Sequence, residues 1–208
     1  MSLGVDDWEL WSPWTQAERE RSRSIEDWVA ELFRRLPGLQ ARRLADLGSS
    51  LTVSLPATAV RFAEVVAVDQ PEALRTRTPA SRGGLGLPHG AISLSQLANG
   101  GRRFHAAVAL DVWRSATRAE IDAVLRSVWC GLAEGGIVLI TAPARGETRC
   151  PFDMFLGAAG SDEDPGRYHE IELQYLLRRA GFQGVRIREL RAVAGRTLVA
   201  MAVRRGLN

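Results

Sequence analysis

Arg43-Leu44-Ala45-Asp46-Leu47-Gly48-Ser49-Ser50-Leu51-Thr52 is the stretch whose reading decides the fold. A short apolar run ends in an acid, passes through a Gly-Ser-Ser turn and gives way to a second apolar segment. Further on, Val65-Val66-Ala67-Val68-Asp69 repeats the idea: a β-branched run that ends in a carboxylate. Two buried strands ending in Asp, with a small-residue turn after the first, are how an open α/β sheet builds a nucleotide crevice.

Downstream, the same alternation continues. After the turn, residues 51–63 are expected to hold a short helix starting near Pro56, with Ser54 as its cap. The stretch from Pro71 to Pro88, rich in Pro, Gly, Ser, Thr and Arg, reads as a turn or irregular crossover. Its Gly83-Gly84-Leu85-Gly86 has no strand before it and no clear helix after it, so a phosphate loop is not supported. Ala91 to Leu94 reads as a weak third strand, and Phe104 to Leu110 as an almost wholly apolar fourth strand ended by Asp111. From Arg118 to Leu132, Ile121, Val124, Leu125, Val128, Trp129 and Leu132 recur at helical spacing. Glu134-Gly135-Gly136 breaks that pattern, and Ile137 to Thr141 is the fifth strand. Continuous apolar strands alternating with amphipathic helices imply a parallel sheet buried on both faces. A long polar connection from Pro143 to Arg167 leads to a helix marked by Ile171, Leu173, Leu176 and Leu177 and stopped by Ala180-Gly181-Phe182. Val185 to Leu190 and Thr197 to Val203 then read as strands that pair antiparallel at one edge. The fold expected is therefore α/β: a Rossmann-like doubly wound, mostly parallel sheet with an antiparallel C-terminal edge strand.

Upstream, Ile25, Trp28, Val29, Leu32, Phe33 and Leu36 form an amphipathic helix capped by Ser24 and ended by Pro37-Gly38. Before it stand Trp8, Trp11 and Trp14, three large rings in a short polar stretch. They form either a lid over a pocket or an arm packed on the domain surface. The organisation read is an N-terminal Trp-rich segment and helix over residues 1–38, followed by an α/β domain over residues 39–208.

At 208 residues the chain has ample length for a core, and a hydrophobic fraction of 46% with 25% charged residues is ordinary for a soluble domain. No apolar run approaches the roughly 20 residues needed to span a bilayer, and a signal peptide is not evident, so no membrane and a cytoplasmic location are expected. Cys130 and Cys150 lack metal-like spacing, and no metal site is read. The net charge is +3 and all 27 basic residues are arginine. Arginine suits phosphate and nucleic acid, but here it is spread along the chain and interleaved with acids, as a GC-rich coding bias would also produce.

In order and spacing these motifs resemble the class I S-adenosylmethionine-dependent methyltransferases, over roughly Leu39 to Arg205. The carriers are Phe104-His105-Ala106-Ala107-Val108-Ala109-Leu110-Asp111-Val112, Leu132-Ala133-Glu134-Gly135-Gly136-Ile137-Val138-Leu139-Ile140, and Tyr168-His169-Glu170-Ile171-Glu172-Leu173 with Leu176-Leu177-Arg178-Arg179-Ala180-Gly181-Phe182. The resemblance implies S-adenosylmethionine as cofactor, bound by Asp46, Gly48, Ser49, Ser50, Asp69, Gln70, Ser93, Leu94 and Asp111. In the family's first motif Asp46 and Gly48 match, while Ser50 and Thr52 stand where the second and third glycines usually are. A Ser forced into a glycine conformation costs on the order of 1 kcal/mol. Asp69 matches the acid that binds the ribose hydroxyls, an interaction worth roughly 1.5–3 kcal/mol. Ser93 falls near the family's adenine-side acid and would bond more weakly. Together these departures amount to about 2 kcal/mol, or roughly thirtyfold in affinity.

Methyl transfer from a sulfonium is an in-line displacement that depends on alignment more than on acid–base groups. His169, beside Tyr168 on the side where the family's substrates enter, is the candidate base, with a capping or surface role as the alternative. Asp111 either contacts cofactor or acceptor or caps the next segment. His105 is expected to be structural, and His89 lies in the crossover. An Asn-Pro-Pro-Tyr motif and a basic stripe are both missing, so no nucleic-acid partner is expected, and the absent Gly-x-Gly-x-x-Gly excludes a nicotinamide site. The resulting expectation is a methyltransferase acting on an unidentified small-molecule acceptor. The rival is a catalytically inactive methyltransferase-like module, with a homo-oligomer or protein partner docking through the Trp segment.

Overall fold

Each apolar run becomes a strand because its residues can bury on both faces at once, which only a sheet covered on both sides allows. A computed structural model of the chain describes residues 42–47, 62–69, 90–99, 101, 103–110, 117–145, 167–192 and 195–205. The N-terminal Trp segment and its helix, the Gly-Ser-Ser turn with the helix after it, and the Pro-rich crossover lie outside them. In chain order the elements are β1 (Arg43–Asp46), β2 (Glu64–Asp69), β3 (Gly90–Ser93), α1 (Leu94–Asn99), β4 (Phe104–Leu110), α2 (Arg118–Gly131), β5 (Leu132–Pro143), α3 (Glu170–Arg179), β6 (Gln183–Ala192) and β7 (Gly195–Val203).

The strands form one seven-stranded sheet in the order β3-β2-β1-β4-β5-β7-β6. The first five are mutually parallel, and β7 runs antiparallel between β5 and β6. The antiparallel pair expected at one edge is therefore present, with β6 at the edge and the last strand of the chain, β7, between it and β5. The sheet reverses its winding between β1 and β4, which makes the carboxyl ends of those two strands the switch point of the fold.

Register lines up Ala45, Val66, Ala107 and Val138 across the sheet, and β7 continues the row with Ala202. These residues share one hydrophobic cluster with Leu97 of α1, Val124 and Val128 of α2, and Leu173 and Leu177 of α3. The alternate row, Leu44, Val65, Ala106, Val108, Leu139 and Val199, is buried as well. Both faces are covered, as the apolar runs demand.

Two glycine positions explain how the second half is assembled. Strand β5 begins at Leu132, directly after α2, rather than at Ile137, and its pairing with β4 skips between Phe104 and Ala106. The skipped residues form a bulge in which Gly135 takes φ 73°, while a side chain at Gly136 would meet the Ala133 carbonyl at 2.8 Å. The bulge is tied back to the end of β7: Gly135 N donates to Arg204 O and Arg204 N to Gly136 O, both at 2.8 Å. At the end of α3, Gly181 N donates to Arg178 O and Phe182 N to Leu177 O, the paired bonds of a Schellman ending. Gly181 sits at φ 102°, and Trp129 Nε1 donates to its carbonyl at 3.0 Å, locking α2 to the end of α3. A Cβ there would lie 3.0 Å from the same indole nitrogen. Gly181→Ala is therefore expected to destabilise the domain by about 1–3 kcal/mol, read as a lower urea midpoint with unchanged slope. Gly101→Ala, where φ is 65° but the space is open, should cost less.

Candidate functional site

The parallel strands deliver their last residues to one edge of the sheet, and the helices that follow start there. Asp46 ends β1 at the switch point and is 1% exposed. Leu47 N donates to Val108 O at 2.9 Å, so the β1–β4 pairing continues past the acid and fixes its backbone. Asp69 ends β2 and is the register partner of Ser93, the last residue of β3. Asp46 pairs with Ala67, two residues short of Asp69, so the two acidic positions are about 8 Å apart at Cα from strand geometry. Gly48, Ser49, Ser50, Thr52, Gln70, Asp111 and His89 lie outside the described residues.

Ser93 has a second employment. Its Oγ accepts from Gln96 N at 3.2 Å and its own N–H donates to Gln96 Oε1 at 2.8 Å. This is a capping box for α1, the helix that the sequence reading missed. Its signal was there as Ser93-x-x-Gln96, with Leu94 and Leu97 at helical spacing. Leu94 opens that helix and packs against the core cluster. A second box opens α2, where Thr117 N donates to Glu120 Oε2 and Glu120 N to Thr117 Oγ1. The Thr117 bonds hold the Glu120 carboxyl below its usual range.

The third helix start carries the most chemistry. His169 is the N-cap of α3, and its N–H donates to Glu172 Oε2 at 3.4 Å. Just before it, Tyr168 N donates to Pro143 O at 2.9 Å and Arg145 N to Tyr168 O at 2.8 Å, a parallel bridge centred on Ala144 and Tyr168. This bridge joins the two ends of the long connection that leaves β5, whose residues 146–166 lie outside the described set. The Tyr168 ring is fully buried, with the Arg118 guanidinium 4.1 Å from its centroid. Arg118 is also bonded through Nε to Glu172 Oε1 and donates from Nη2 to Arg167 O. Burial, with Glu172 acting in the same direction and Arg118 against it, pushes the Tyr168 hydroxyl up to about 12. Tyr168 is thus an anchor at neutral pH, neutral and immobile.

His169 differs. Its Nε2 is enclosed with no hydrogen-bond partner among the described residues. Burial first, and the Arg145 charge second, lower its pKa against a smaller opposing effect of Glu172. The imidazole is held neutral, as a proton acceptor must be. His105 lies at the start of β4, at the opposite edge of the sheet, where its Nδ1 accepts from Arg43 N at 3.2 Å. Burial, then Arg42 and Arg43, lower its pKa too. Among the described residues no cluster of His, Cys, Asp and Glu is placed to hold a metal ion, and no helix is long and apolar enough to cross a membrane.

No protein-family model matches the chain, and no curated protein matches it in sequence. Solved structures match it in fold. Human N-acetylserotonin methyltransferase in complex with S-adenosylmethionine superposes with a TM-score of 0.57 at 13% identity, covering 95% of this chain and 59% of that one. Magnesium protoporphyrin IX methyltransferase from Synechocystis PCC 6803, with S-adenosylhomocysteine bound, gives 0.57 at 17% identity, covering 86% and 81%. An S-adenosylmethionine-dependent methyltransferase from Methanosarcina mazei gives 0.51 at 15% identity, covering 80% and 93%. The fold is that of the class I S-adenosylmethionine-dependent methyltransferases. The chain spans about three fifths of the human enzyme's length.

Both histidines with lowered pKa values give stability a defined pH dependence. The unfolded chain takes up protons near the ordinary value of 6.5, before the folded one does. Stability is therefore full above that pH and is lost as pH falls toward the folded values. The urea midpoint is expected to drop between about pH 7.5 and pH 5. His105→Asn, which keeps an acceptor for Arg43 N without a titrating ring, should flatten part of that drop.

Proposed function

We propose that this chain is an S-adenosylmethionine-dependent methyltransferase acting on a small molecule by in-line methyl transfer. The observation that carries the reading is the placement of Asp46 and Asp69 at the carboxyl ends of adjacent parallel strands beside the winding reversal. Strand ends beside such a reversal are where open α/β sheets bind their ligands. Asp46, Gly48, Ser49 and Ser50 would hold the amino-acid end of the cofactor, Asp69 and Gln70 the ribose, and Ser93 and Leu94 the base, with Asp111 beside the transferred group. S-adenosylmethionine, when bound, supplies a methyl group activated on a sulfonium sulfur. The protein's share is alignment and exclusion of water, with His169 Nε2 available to take a proton from the acceptor.

The rival reading, a non-catalytic binding module, is favoured by one specific observation: the Ser93 hydroxyl already serves as the cap of α1. With Ser50 and Thr52 in place of glycines, the cofactor contacts are fewer than in the family pattern. The expected cofactor and acceptor class stand on the methyltransferase reading.

Thermal unfolding with S-adenosylhomocysteine separates the two. Ligand at about 100 times its dissociation constant should stabilise the protein by about 2.7 kcal/mol. Asp69→Ala is expected to weaken that binding by about 1.5–3 kcal/mol. No shift of the unfolding temperature at millimolar ligand overturns the enzyme reading in favour of the module.

A further inference from the structure

At the acceptor end of the crevice, Arg145 is the charged group that the mechanism above does not use. It follows β5 directly, and its backbone is pinned by the bond from Arg145 N to Tyr168 O, which sets it beside the start of α3. Its side chain is half-buried and makes no ion pair or hydrogen bond among the described residues. Glu172, in the first turn of α3, is engaged by Arg118 and by the His169 N–H. The buried His169 Nε2 also lacks a hydrogen-bond partner among the described residues. The neighbouring Tyr168 ring carries the Arg118 guanidinium 4.1 Å from its centroid. The backbone bridge thus brings Arg145 and His169 to neighbouring positions, and the Arg145 charge bears on an imidazole whose Nε2 has no partner among the described residues.

We propose that Arg145 and His169 form the acceptor subsite and select an acidic oxygen acceptor, a phenol, enol or carboxylic acid, bound as its anion. The inference rests on the methyltransferase reading for its biological meaning but not for its binding chemistry. A guanidinium favours an oxyanion through bidentate, charge-assisted bonds and repels an ammonium. It also favours the deprotonated form of a weakly acidic hydroxyl, the form in which oxygen is a competent nucleophile. The neutral imidazole can take the hydroxyl proton at Nε2, or, as the tautomer protonated there, donate to a carboxylate. A cationic amine is repelled by the guanidinium.

The test uses simple probes on the full chain. Binding of benzoate is measured by calorimetry, binding of 4-nitrophenol by the absorbance of its phenolate, and benzylamine serves as the cationic control. The expected result is binding of both oxygen acids, a fall in the apparent pKa of 4-nitrophenol on binding, and no competition from benzylamine. Arg145→Gln should weaken both anions roughly ten- to a hundredfold, and Arg145→Lys should recover part of that loss. S-adenosylhomocysteine binding is measured on each variant in parallel and is expected to be unchanged. Unaltered anion binding in Arg145→Gln, equal binding of benzylamine, or no binding of either anion overturns the subsite. If anions bind through Arg145 while S-adenosylhomocysteine does not bind, the subsite stands and the methyl-transfer reading falls.

Discussion

Everything at the crevice depends on the pairing of one short strand. β1 has four residues, yet it is hydrogen-bonded in parallel to β2 on one side and to β4 on the other. A strand held from both sides cannot slip by a single residue without sending Leu44 and Ala45 to the wrong faces of a sheet that is buried on both. That constraint fixes where Asp46 emerges, and through Ala67 it fixes the height of Asp69. The acids are thus placed by packing of the apolar residues before them.

A second constraint works at the other end of the same edge. The Ala144–Tyr168 bridge closes the loop between β5 and α3 at its stem, so a connection of more than twenty residues starts and ends at adjacent points. Tyr168 secures the closure from inside: a fully buried ring under the Arg118 guanidinium resists any movement of the stem. Arg145 and His169 flank that anchor. They owe their proximity to a backbone bridge between residues far apart in sequence, which no local pattern announces.

That difference explains what could be read from the chain and what could not. The strands were legible because burial on both faces writes them as unbroken apolar runs such as Phe104 to Leu110, and the helices because Val124, Val128, Leu173 and Leu177 recur with helical period. The start of β5 was misjudged by five residues because Glu134-Gly135-Gly136 has the composition of a break, whereas the backbone uses it as a bulge bonded to Arg204. Helix α1 was missed although its capping box was present, since six residues carry too little periodicity to stand out beside a weak strand. For the candidate site, the strand-end acids were legible from position. The joining of Arg145 to His169 was not, because it depends on tertiary pairing.

The helix starts at this edge add a last physical point about the ligand. A helix N-terminus attracts phosphate when its first N–H groups and its dipole are unopposed. Here α2 and α3 bring their own carboxylates: Glu120 and Glu172 reach back to the cap residues, and Gln96 does the same for α1. With the cap N–H groups of α2 and α3 already bonded to these side chains, a polyphosphate at those helix starts finds fewer free donors. An anion entering the same edge has to find a side-chain cation instead of a helix dipole, and Arg145 stands where the helix starts are already occupied.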